Sequence, residues 1–484
     1  MCRRFLIFIA VLTLLPTAGA ITTYDISIDG NAAIVNATFE VYTSQSGEKV
    51  NYWSTSFSLP ENAEILELRD SKGEITEYTF DKGKLSLETN KGGLKEKEVI
   101  YLLYKLENSV NNEFSPLKKL NLSLPAFENV REDVPDEQTF VSLEVSEQIH
   151  SAIPSLGFVS NVGDKDIQFS GDGPIAFTVW FGDGGKLYRH YALFGDGDAT
   201  QADSGFGIVP SVTGLPLEYS RIPVVVLPDQ EYNQRVNEWS AGEFRGGVIF
   251  LRGNISLATL LHETTHAFNE RALRWQRVEV AWFDEGVAKY VEFLVNIEAG
   301  KRQAEIFGKP LKWTEGFMIY TLTSHSSPEE LWDYYQEEKK FMESWSTDDA
   351  STREFGYTFS ELFIRDFVRR EGPEALHEVF EGLLKVERDA ETPEEYNSIL
   401  LGLLGSDLRP CYSQKKEEFE SCLDSINAMT PQIPENVTIH GVQEKIIIPQ
   451  IEEPEEEAAH ITFLNHISSL FTSLWESIKG LLGI

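Results

Sequence analysis

The residues of this chain best suited to chemistry are His262-Glu263-Thr264-Thr265-His266 and, after eighteen intervening residues, Glu285. On a helix, histidines at i and i+4 project from one face, a turn apart. Their imidazole nitrogens can then reach one zinc ion at about 2.0–2.1 Å. Glu263, beside the first histidine, is placed to take a proton from water that the ion has acidified. A third ligand from a second helix would leave one position open for catalysis. Glu285, in Trp282-Phe283-Asp284-Glu285-Gly286, is the candidate.

A five-residue motif is short, so the elements around it matter. Leu257, Leu260, Leu261 and Phe268 make the stretch around the histidines apolar, as a buried helix requires. Asn254 and Ser256 offer N-cap oxygens just before it. Upstream, Gly246-Gly247-Val248-Ile249-Phe250-Leu251 reads as a strand. A second helix is expected from about Asp284 through Val287, Ala288, Val291 and Phe293.

Strand, His-Glu-x-x-His helix, then Trp-Phe-Asp-Glu-Gly-Val-Ala-Lys-Tyr-Val-Glu resembles the gluzincin clan of zinc peptidases. Within it, the pattern is similar to that of aminopeptidase-N-like enzymes and peptidase MA-like domains. The resemblance covers roughly residues 200–390. It implies Zn2+ as cofactor, held by His262, His266 and Glu285, with Glu263 as general base. The second acid of the family pattern falls on Glu292, seven residues after Glu285. On the same helix face, it would orient a ligating histidine through its other ring nitrogen. A solvated helix charge is the plainer reading of Glu292. The family's oxyanion-stabilising tyrosine falls on Tyr357, in Phe355-Gly356-Tyr357-Thr358-Phe359-Ser360, where Ser360 stands in place of a glycine. Tyr290, Tyr320 and Tyr335 compete for that role.

One departure concerns specificity. Aminopeptidases of this kind carry a Gly-x-Met-Glu-Asn strand whose glutamate grips the substrate's amino terminus. That motif is absent here, and Gly246-Gly247-Val248-Ile249-Phe250 fills the comparable place without an acid. An extended peptide could still pair with the strand backbone.

At 484 residues the chain is expected to hold two or three domains. Residues 1–20 read as a secretory signal: Arg3 and Arg4, an apolar run from Phe5 to Leu15, and Ala18-Gly19-Ala20 before the cut. Export suits the cysteines. Cys2 leaves with the signal, and Cys411 and Cys422 remain as a disulfide pair or two buried thiols. Four sequons, at Asn36, Asn121, Asn254 and Asn436, fit the same route weakly. The net charge of −35 argues against nucleic acid as a partner and against a purely electrostatic hold on anionic lipid.

The expected architecture is α+β and multidomain. Residues 21–185 alternate polar and apolar in short runs and read as an antiparallel β-sandwich. Gly-Asp-Gly at 171–173, 182–184 and 195–197 reads as turns rather than a calcium site. Residues 186–307 form the catalytic α/β part, thermolysin-like by the resemblance, with Ile222–Leu227 as a buried strand. Residues 308–430 form a helical lobe. Residues 431–460, rich in Pro and Glu, read as an extended linker. Residues 461–484 place Leu464, Ile467, Leu470, Phe471, Leu474 and Trp475 on one face of an amphipathic helix. That helix would lie on a membrane surface or dock on protein.

The sequence therefore points to an exported zinc metallopeptidase acting on peptides or proteins, extracellular or at the cell surface. Two rivals stay open: a hydrolase of non-peptide substrates on the same scaffold, and a surface binding protein with an inactive zinc site.

Overall fold

The computed structural model describes residues 21–42, 52–90, 97–125, 138–155, 157–217, 221–253, 255–273, 280–307, 332, 345–348, 350, 353–385, 393–404, 411 and 415–427. The expected signal, the acidic linker, the amphipathic C-terminal segment, Asn254, Asn436, Tyr320 and Tyr335 lie outside them. The chain divides into two units, 1–439 and 440–484, and every described residue belongs to the first. Among the described residues no helix is long and apolar enough to cross a membrane.

The N-terminal part is built of alternating strands. In Ile21–Asp29, Thr22, Tyr24 and Ile26 are buried while Asp25 and Ser27 face solvent, the period of two that a half-covered sheet demands. This strand sits inside an eight-stranded sheet, paired antiparallel to Ala32–Tyr42 and parallel to Gln138–Glu144. The sheet is thus mixed, not wholly antiparallel as the alternation suggests. Its inner face meets two smaller sheets, of four and three strands. Phe169 packs on Phe177 of the first at 5.0 Å between centroids, and Phe39 on Phe57 of the second at 4.5 Å. The three Gly-Asp-Gly triplets fall at strand ends, with Gly173, Gly184 and Gly195 at positive φ.

A second sheet opens at β1 (Lys186–Leu187) and continues through β2 (Tyr191–Phe194), β3 (Ile222–Leu227), β4 (Gly242–Arg245) and β5 (Val248–Arg252). Its order is β1-β2-β3-β5-β4. The β2–β3 and β3–β5 pairs are parallel, and β4 runs antiparallel to β5 at the edge. Every residue of β3 is buried, the continuous apolar run of a strand covered on both faces. One cover is the N-terminal layer: Leu117 and Trp180 share a core with Phe194, Val225 and Phe250. Trp180 Nε1 also donates to the Gly246 carbonyl at 2.9 Å. Short helices α1 (Thr200–Gly205), α2 (Ile208–Thr213) and α3 (Asp229–Arg235) connect the strands.

The long helices α4 (Leu257–Leu273) and α5 (Ala281–Phe307) pack on each other, and α4 lies against β4 and β5. The C-terminal helices are α6 (Arg353–Glu371), α7 (Ala375–Leu384), α8 (Pro393–Leu404) and α9 (Lys416–Asn427). Arg365 of α6 is buried, 3.3 Å from Glu361 and donating to the Ile426 carbonyl at 3.2 Å, which ties α9 to α6. A Cys411–Cys422 disulfide fixes the approach to α9.

Candidate metal centre and cleft

Helix α4 begins where its cap allows. The Ser256 hydroxyl accepts the Thr259 amide at 3.4 Å, and the Ser256 carbonyl takes the Leu260 amide at 2.9 Å. From there Leu260, Leu261 and Phe268 enter the core, which fixes the helix's rotation and turns His262, Glu263 and His266 toward a cleft. Thr264 and Thr265, on the buried side, return their hydroxyls to the Leu260 and Leu261 carbonyls. Tyr191 of β2 bonds to the Thr264 hydroxyl at 2.8 Å.

Helix α5 begins at Ala281, three residues earlier than the pattern suggests. Trp282 and Phe283 are fully buried in its first turn, against Phe363 of α6 and Phe380 of α7. Gly286 sets the depth of that packing. A Cβ there would lie 2.7 Å from the Ser360 carbonyl oxygen of α6. Close approach at this point carries Glu285 against the histidines.

The three expected ligands come together. His262 Nε2 lies 3.2 Å from Glu285 Oε2, His266 Nε2 lies 3.4 Å from the same oxygen, and the two Nε2 atoms are 3.3 Å apart. Three donors at tetrahedral angles, each about 2.0–2.1 Å from one ion, are separated by about 3.3–3.4 Å. The triangle therefore fits zinc, and its chemistry of two imidazoles and a carboxylate is that of a catalytic site. Burial pushes the Glu285 carboxyl pKa up, but the two histidines outweigh it and hold it far below the usual range.

Glu292 lies 3.3 Å from His262 Nδ1 and is bonded by Lys289 Nζ at 2.8 Å. Burial raises its pKa, Lys289 and His262 oppose, and the result is about 2. Sequence reasoning missed the counterpart on the other histidine. Asp284 Oδ1 sits 2.9 Å from His266 Nδ1 and accepts from Asn269 Nδ2 at 2.9 Å. Its position next to Glu285 was visible, but that it turns to the opposite ring depends on where α5 starts.

A cavity of about 530 Å³ runs over the triangle, lined by β4, by Trp239 and Ser240 before it, and by Thr347, Asp348 and Tyr357 opposite. Glu263 lies flat against β4: a Cβ at Gly242 would meet its Cγ and Oε1 at 2.9 Å. Tyr357, on α6, lines the cleft with its ring edge-on to Trp345 at 5.4 Å. Tyr290 is buried in the core and does not line the cleft. Ser360, in the place of the family's glycine, is buried within helix α6.

The strand beside the site is not the one the sequence suggests. Gly246 and Gly247 form the tight β4–β5 turn at φ +58° and +88°, and Val248–Arg252 is an interior strand. The edge strand is β4, and it carries an acid. Glu243 lines the cleft, accepts from Asn237 Nδ2, and lies 3.8 Å from Arg245 Nη1. Four residues with two charges and a glycine give little strand signal, so β4 escaped notice.

No family model and no curated protein sequence matches the chain. Solved structures resemble the chain at low identity. An M1 zinc metallopeptidase from Deinococcus radiodurans is 12% identical, over 87% of this chain and 98% of that one, at TM-score 0.34. Legionella pneumophila aminopeptidase A is 11% identical, over 85% and 50%, at 0.35. Yeast LTA4 hydrolase is 11% identical, over 82% and 69%, at 0.35. At such distances the likeness adds no weight to the site's own geometry.

Proposed function

We propose that the chain is an exported zinc-dependent peptidase of the gluzincin kind, with His262, His266 and Glu285 holding the ion. The observation that carries this reading is the donor triangle of 3.2–3.4 Å at the floor of a cleft lined by β4, the edge strand of its sheet among the described residues. When bound, zinc supplies a Lewis acid that polarises a carbonyl and acidifies water. Glu263, pressed on β4, takes the proton of the attacking water and returns it to the leaving amine. Tyr357 donates to the oxyanion that develops on the substrate carbonyl. Asp284 and Glu292 orient the two imidazoles through their far nitrogens. An extended peptide adds to the edge of β4 by backbone pairing. Glu243 supplies a carboxylate there, so recognition of a free amino terminus returns as part of the proposal.

Glu263→Gln tests this directly. Zinc content, measured by elemental analysis, should stay stoichiometric, while hydrolysis of a peptide library falls by about 10²–10⁴. Undiminished turnover in that variant would sink the mechanism. An ester or epoxide hydrolysed where no peptide is cut would favour a non-peptide substrate.

A further inference from the structure

Where the N-terminal layer meets the second sheet, a cavity of about 390 Å³ is bounded by three cations. They are Lys119, on the strand Leu117–Leu124, Arg235 at the end of α3, and Arg245 at the end of β4; Phe114, Trp180 and Phe250 form walls. Among the described residues no carboxylate lines it, in a chain with 77 acidic and 42 basic residues. Each cation stands over a ring: Lys119 Nζ 5.2 Å from Trp180, Arg235 5.7 Å from Phe114, and Arg245 5.6 Å from Phe250. Such contacts hold a charged group in place without neutralising it.

Two carboxylates pair with the arginines. Glu231 lies 3.3 Å from Arg235 Nε and Glu243 3.8 Å from Arg245 Nη1, both part-exposed pairs of the kind that contribute little. Arg245 Nη2 donates to the Arg235 carbonyl at 3.1 Å, which draws the two arginines together. Burial lowers the Lys119 ammonium pKa, Glu270 opposes, and Arg245 lowers it further. An anion entering the cavity relieves that repulsion. Arg245 also lines the catalytic cleft, so the cavity adjoins it.

We propose that this cavity is a subsite for a carboxylate of the peptide substrate, and that Lys119, Arg235 and Arg245 make the enzyme prefer acidic peptides. The proposal rests on the peptidase reading. The carboxylate can come from an acidic side chain or from the peptide's C-terminus, and the chemistry at the cations is the same. The walls exclude water on one side, which strengthens the attraction.

Three short peptides separate the sources. One carries glutamate and an amidated end, the second glutamine and an amidated end, the third glutamine and a free carboxylate. Binding is measured by calorimetry on the full-length Glu263→Gln chain, and kcat/KM on the zinc-loaded wild type. The glutamate peptide, the free-carboxylate peptide or both should exceed the neutral one about tenfold, as one charge-assisted contact provides. Lys119→Gln with Arg245→Gln should cut that ratio below about twofold, and Arg235→Gln alone, at an exposed side chain, should reduce it several-fold. Equal binding of all three peptides, or a preference surviving the double variant, overturns the subsite. Hydrolysis of none, with the carboxylate preference intact in calorimetry, supports the subsite and overturns the peptidase reading.

Discussion

On the floor of the cleft each of the two histidines is buried beside a fixed carboxylate partner, whereas along β4 the charged side chains stay part-exposed. His266 meets Asp284, which Asn269 holds in turn; His262 meets Glu292, which Lys289 holds. Glu243 and Arg245 lie at 3.8 Å, with the arginine half in solvent. Chemistry on the floor needs positions fixed to fractions of an ångström, and two packed helices provide them. A short edge strand such as β4 presents charge to the cleft without that rigidity.

That contrast can be broken at several points. The largest effect is expected from Glu285→Ala, which removes a ligand from the triangle: metal content by elemental analysis should fall below stoichiometric, and activity with it. Retention of one zinc per chain in that variant would assign the third ligand elsewhere. Tyr357→Phe should lower kcat by about 10²–10³ with metal content unchanged, because only a donor to the oxyanion is lost. A change confined to the melting curve would return Tyr357 to a packing role.

Gly286→Ala sharpens the floor's side of the comparison. Its methyl would press the Ser360 carbonyl at 2.7 Å, so denaturant unfolding should show a loss of about 1–3 kcal/mol, with weaker metal binding as Glu285 moves. Ser256→Ala should cost only about 1 kcal/mol, the loss of one N-cap, and leave metal affinity alone. A neutral Gly286→Ala would show that α5 and α6 do not set the ligand's depth.

Legibility followed the same division. His262, His266 and Glu285 were readable because local spacing on helices fixes which side chains share a face, and the fold had only to bring two faces together. Ser256 as a cap was readable for the same reason. Glu243 was not: membership of the edge strand depends on the β4–β5 turn at Gly246-Gly247, which the sequence reading merged into the next strand. Asp284 was seen only as a helix start, since its partner ring depends on the first turn of α5. In the N-terminal part alternation showed the strands, but it carries no pairing information, so the parallel pair and the split second layer stayed hidden.

That parallel pair also bears on how the protein assembles. Ile21 is registered with Gln138 and Ser27 with Glu144, so the first described strand is an interior strand of the large sheet. Nothing local can close that seam, because the intervening strands must be made before the two edges meet. The domain therefore has a high contact order, and its folding should be slow beside that of the α4–α5 helical pair. During synthesis Ala32–Tyr42 can cover one edge of the strand early, but the other stays open until its parallel partner emerges, an edge exposed to wrong pairing.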